Sequence, residues 1–88
     1  MKMIILILKD NDADEVTQAL TADQYRVTRV ASTGGFLRSG RSTLLIGVED
    51  EQVDEALEVI KRNCKKPKDS SKKQAVVFVL PVEKFTQL

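Results

Sequence analysis

The chain has 88 residues, which allows one hydrophobic core and excludes a second, so a single domain over residues 1–88 is expected. With 42% hydrophobic and 31% charged residues, its composition is that of a globular chain and excludes a disordered or membrane-embedded one. No histidine and a lone Cys64 exclude intrachain disulfides, CxxC chemistry and most transition-metal sites, and a net charge of +1 conceals one basic stretch near the end.

The apolar run from Met3 to Leu8 is too short for a signal peptide and lacks a small-residue cleavage site, so it reads as β1, buried or central in its sheet. No apolar run approaches the roughly 20 residues that span a bilayer, and a cytoplasmic location follows as the expectation. Asp12 and Glu15 have capping-box spacing, and Ala13, Val16, Ala19 and Leu20 continue as a helical stripe, which predicts α1 over 12–22. Tyr25, Val27 and Ala31 alternate with Arg26 and Thr28 as β2, with the two polar residues on one face. Residues 43–48 read as a buried β3. Asp50 is the predicted cap of α2, whose apolar face runs through Val53, Ala56, Leu57, Ile60 and Cys64. Cys64 reads as a small apolar residue of that face rather than as a reactive thiol. Pro67 stops the helix, residues 65–73 form a polar connection, and residues 75–80 give β4, closed by Pro81. The order βαββαβ, with right-handed crossovers, predicts an α+β, ferredoxin-like fold: a four-stranded antiparallel sheet with both helices on one face.

Between β2 and β3 lies Ala31-Ser32-Thr33-Gly34-Gly35-Phe36-Leu37-Arg38-Ser39-Gly40-Arg41-Ser42-Thr43. Paired glycines let backbone N–H groups converge on an anion, hydroxyls add donors, Arg38 and Arg41 supply charge, and Phe36 offers a flat face to a base. The stretch suits a phosphorylated, ring-bearing ligand. Taken alone, it also suits a simple solvated turn.

Met1 to Ile5, Arg26, Thr28, the run Thr33-Gly34-Gly35-Phe36-Leu37-Arg38, Gly40, Gly47-Val48, Val53-Asp54-Glu55 and the ending Val77-Phe78-Val79-Leu80-Pro81-Val82 with Phe85 and Gln87 resemble the PII-like cyclic-di-AMP receptor family of bacterial signalling proteins. The resemblance implies a PII-like homotrimer holding cyclic di-AMP in clefts between subunits, without catalysis or a bound cofactor. It implies ligand contacts at Arg26, Thr28, Gly35, Phe36, Leu37, Gly47, Phe78 and Gln87, with Gln24, Arg38 and Arg41 as further candidates. An unidentified downstream protein would read a ligand-induced loop rearrangement. Three departures from the family pattern stand out: Gln24 and Arg41 occupy positions where asparagine is common, and the connection at 65–73 is short.

Other functions are weaker fits. Lys61, Arg62, Lys65, Lys66, Lys68, Lys72 and Lys73 hold seven of the fourteen basic groups within thirteen residues, which suits a trimeric adaptor that has altered or lost nucleotide binding and meets an acidic partner through that surface. An RNA-recognition domain needs aromatics on its central strands, and residues 4–8 and 44–48 have none, so nucleic acid is disfavoured. No serine or cysteine has an evident base beside it, which argues against an enzyme. Asp10, Asp12 and Asp14 have the spacing of a calcium loop but lack its glycine and terminal glutamate.

Overall fold

The structure, a computed structural model, describes residues 1–30, 40–64, 75–84 and 86. Within them β1 (Lys2–Lys9) runs directly into α1 (Asp10–Ala22), followed by β2 (Arg26–Val30) and β3 (Arg41–Val48). A 3-10 turn (Asp50–Gln52) leads into α2 (Val53–Arg62), and β4 (Ala75–Pro81) completes the sheet. The strand order is β2-β3-β1-β4 with every pairing antiparallel, so the expected ferredoxin-like arrangement is present.

The register sorts side chains by parity. Ile4 lies opposite Ile46 and Leu6 opposite Leu44, and these residues are fully buried against Ala13, Val16 and Leu20 of α1 and Ala56, Val59 and Ile60 of α2. Their neighbours Met3, Ile5, Ile7 and Leu45 point to the other face and are half-buried. The unbroken apolar run of β1 therefore reflects a central strand with helices on one side and a second apolar face on the other.

Helix starts differ from the sequence reading. No capping box forms at Asp12 and Glu15, because α1 begins at Asp10, and Asp12 sits buried within the first turn. The first helical N–H is satisfied instead by the turn residue just before β3, as Asp10 donates to the Gly40 carbonyl at 2.8 Å. At α2 the capping box belongs to Glu49 and Gln52 rather than to Asp50, with the Glu49 N–H donating to Gln52 Oε1 at 3.0 Å. Asp50 is engaged elsewhere, by the N-terminal ammonium of Met1 at 3.0 Å. Helix α2 ends at Arg62, so Cys64 lies beyond it and packs, partly buried, against the core.

The exit of α1 positions β2. Tyr25 N–H donates to the Leu20 carbonyl and Gln24 N–H to that of Thr21, both at 2.9 Å, and Gln24 takes a left-handed φ of 69°. This is a Schellman closure with Gln24 where glycine is usual, and the buried rings and methyls of Tyr25 and Leu20 complete it.

Candidate functional site

Each pleat of the uncovered sheet face forms a row across the four strands. Arg26, Gly47, Met3 and Leu80 make one row, and Thr28, Leu45, Ile5 and Phe78 the next. Arg26 and Thr28 reach this face together because they are two residues apart on β2, which confirms the shared face expected from the alternation.

A pocket of about 270 Å³ opens over the β2–β3–β1 end of these rows, lined by Arg26, Thr28, Leu45, Gly47 and Met3, with Met1, Lys2 and Val82 completing the wall. Gly47 faces Arg26 on one side and Met3 on the other, and a Cβ there would come within 3.2 Å of the Met1 Cε. The missing side chain thus leaves bare backbone at the pocket. Met1 is held in place twice: its ammonium pairs with Asp50, and its carbonyl accepts from the Val82 N–H at 3.0 Å. That ammonium holds the Asp50 carboxyl below its ordinary value, first through the hydrogen bond and then through charge.

Chemically, the pocket combines a guanidinium, a hydroxyl, exposed backbone and apolar walls. A guanidinium matches phosphate oxygens in pairs, and apolar walls beside bare backbone accept a flat ring. Among the described residues, no cluster of histidine, cysteine, aspartate or glutamate could hold a metal ion, and no helix is long and apolar enough to cross a membrane.

The other sequence candidates are dispersed. Phe78 shares the row of Thr28 but stands on β4, beyond Leu45 and Ile5, and is 50% exposed rather than in the core. Arg41 sits at the far end of β3, opposite Lys9, beside a separate depression lined by Lys9, Asp10, Asn11 and Gly40. Gln24 is exposed and serves the α1 closure. Gly35, Phe36, Leu37, Arg38 and Gln87 lie outside the described residues, as do positions 65–73 of the basic stretch. Of that stretch, Lys61 and Arg62 are described, and both are exposed. Sequence reasoning missed Met1, Lys2, Met3, Leu45 and Val82 as pocket residues. For Met3 and Leu45 the signal was available, since they share the parity of Gly47; for Met1 and Val82, brought in by the chain's return past β1, there was none.

Sheet order and helix placement together define a ferredoxin-like protein with a PII-like fold. The model of the cyclic-di-AMP receptor family matches residues 1–74, and the chain belongs to that family. Phe78 and Gln87 lie beyond the matched stretch. Among solved structures, the chain is similar to a functionally unknown protein from Pediococcus pentosaceus ATCC 25745, at 35% identity and a TM-score of 0.77, with 99% of this chain and 96% of that one covered. The two match almost end to end.

Proposed function

We propose that this protein is a PII-like signal-transduction protein that binds cyclic di-AMP, or a related adenine nucleotide, in clefts between the subunits of a homotrimer. Arg26 pairs with a phosphate, Thr28 donates or accepts beside it, and Gly47 lets the nucleotide approach the backbone of β3. Gly35, Phe36 and Leu37 enclose an adenine, Phe78 and Gln87 line the part of the cleft nearest β4 and the C-terminus, and Gln24, Arg38 and Arg41 add polar contacts. The reading takes residues 1–88 as one domain, non-catalytic and cytoplasmic, whose ligand-dependent loop rearrangement is sensed by a downstream protein.

The observation that carries this reading is the convergence of Arg26, Thr28 and Gly47 on one pocket with otherwise largely apolar walls. Its size supports an intersubunit site. Pockets for drug-sized ligands run to about 300–1,000 Å³, so a cleft of about 270 Å³ within one chain holds part of a dinucleotide and leaves the rest to other walls.

Isothermal titration calorimetry with cyclic di-AMP, and with ATP and cyclic di-GMP alongside, tests the proposal. Saturable binding of cyclic di-AMP near one per subunit is expected. Gly47→Val, which places a branched side chain in the pocket, should weaken it at least about tenfold while the melting temperature stays within a few degrees. Heat from ATP alone would move the assignment to another nucleotide. Silence from all three, with salt-sensitive capture of an acidic partner that survives Arg26→Ala, would favour the adaptor reading.

A further inference from the structure

Arg29 is an unexpected residue for its place. It lies on the helix-facing side of β2, opposite the fully buried Leu44, where an apolar residue would continue the core. Its guanidinium instead reaches two other elements. Nη1 donates to Asp14 Oδ1 of α1 at 2.5 Å, and Nη2 donates to the Ser42 Oγ of β3 at 2.8 Å. The buried Ser42 hydroxyl in turn donates to Asp10 Oδ1 at 2.5 Å, and Arg29 Nη2 stands 3.8 Å from the same oxygen.

The location matters more than the strength. Arg29 is the penultimate residue of β2 and Ser42 the second of β3, so the pair stands at both feet of the segment 31–39. Asp10 adds a third tie, because its backbone N–H is bonded to the Gly40 carbonyl. The carboxylates of Asp10 and Asp14 are 50% and 61% exposed, and ion pairs at that exposure contribute little to global stability. A tie that stabilises the fold so little, yet joins three elements around one buried hydroxyl, is suited to fixing direction.

We propose that Arg29 and Ser42, held by Asp10 and Asp14, are positioning residues that fix the facing ends of β2 and β3, and thereby the affinity for the phosphorylated ligand. This rests on the functional reading above, in which Gly35, Phe36 and Leu37 enclose the nucleotide. Strand ends that are already held in register lose less conformational freedom on binding than ends whose pairs must first be re-formed. A guanidinium suits the task because its planar fork serves two partners at once, which an ammonium cannot do with fixed geometry.

Two measurements decide the matter. One is calorimetric titration of cyclic di-AMP into wild type, Arg29→Gln, Ser42→Ala and Arg29→Lys, at a temperature where all are folded. The other is hydrogen exchange of the same proteins without ligand. Arg29→Gln and Ser42→Ala should raise the dissociation constant about three- to tenfold. Exchange at Val30 and Thr43 should accelerate while Ile4 and Leu44 stay protected, and Arg29→Lys should recover part of both effects. A purely structural role would lower the melting temperature and leave the dissociation constant of the folded protein unchanged, and that result overturns the proposal. Should wild type fail to bind cyclic di-AMP, the functional reading falls, and the exchange data still judge the clamp: unaltered exchange at Val30 and Thr43 would sink it too.

Discussion

Gln24 and Gly40 both adopt left-handed backbone conformations, at φ 69° and 86°, but only one of them has the residue type that such a conformation favours. An L side chain in this region costs about 1–2 kcal/mol because Cβ crowds the following carbonyl, whereas glycine meets no such penalty. At Gly40 a Cβ would meet nothing within 4 Å, so the cost of Gly40→Ala comes from the backbone alone and should be about 1 kcal/mol. Gln24→Gly should act oppositely, stabilising by about 0.5–1 kcal/mol, with Gln24→Asn between the two because a short amide tolerates the left-handed region. Urea denaturation midpoints measure both, and equal signs at the two positions would show that the turn geometry is not what governs them. Gln24 thus has a structural task at the α1 closure independent of any ligand. Its exposed side chain lies outside the lining of the pocket over Gly47, so calorimetry on the same variants shows whether Gln24 also makes the polar contact proposed for it.

At the scale of elements, the two helices are joined to their surroundings by groups that the fold keeps neutral. Burial pushes the Tyr25 phenol above its ordinary 10.0, helped by the charges of Glu55, on α2, and of Asp23. Burial likewise raises the Cys64 thiol above 9.0, with Asp12 and Glu15 of α1 adding to it. For both groups the folded value exceeds the unfolded one. Their contribution is therefore complete below the unfolded values and is lost as pH rises through the folded ones. Melting temperature should be flat from neutrality to about pH 9 and then fall, less steeply in Tyr25→Phe and Cys64→Ala. An alkaline limb identical in all three proteins would mean that other groups dominate. Cys64 should also alkylate slowly at neutral pH, consistent with its reading as an apolar residue. The elements themselves were legible because alternation and the 3.6-residue stripe follow from which face is buried, and β1, α1, β2, β3, α2 and β4 all lie where those patterns put them. Helix starts were not legible, since the donors at Asp10 and Glu49 are satisfied by Gly40, just before β3, and by Gln52, and the first partner is distant in sequence. The site was legible in half: Arg26, Thr28 and Gly47 meet as their parity requires, while Met1 and Val82 enter the pocket through tertiary proximity alone.

For the whole molecule, the decisive feature is a sheet with apolar residues on both faces and, among the described residues, helices on only one. Met3, Ile5, Ile7 and Leu45 continue across β4 into Val76, Phe78 and Leu80, which are 43–50% exposed, so the β1–β4 side of the uncovered face is one contiguous apolar surface. Antiparallel sheets with one face in water ordinarily alternate apolar with polar residues, and a surface this continuous marks an interaction site. A chain of 88 residues also gains proportionally more from burial between subunits than a larger one, because its own core is small. The proposed homotrimer answers both needs and supplies the missing walls of the pocket over Gly47. Sedimentation should accordingly give a species of three times the 9.8 kDa chain mass, and Phe78→Glu or Ile5→Glu, each placing a carboxylate on that face, should shift it toward the single-chain mass. Loss of assembly and loss of nucleotide binding should then occur together in Ile5→Glu, although Ile5 is neither a proposed ligand contact nor part of the pocket lining within its own chain. A wild type that sediments as a single chain and still binds cyclic di-AMP one to one would show that the pocket is complete within one subunit, and the apolar face would then need a different partner.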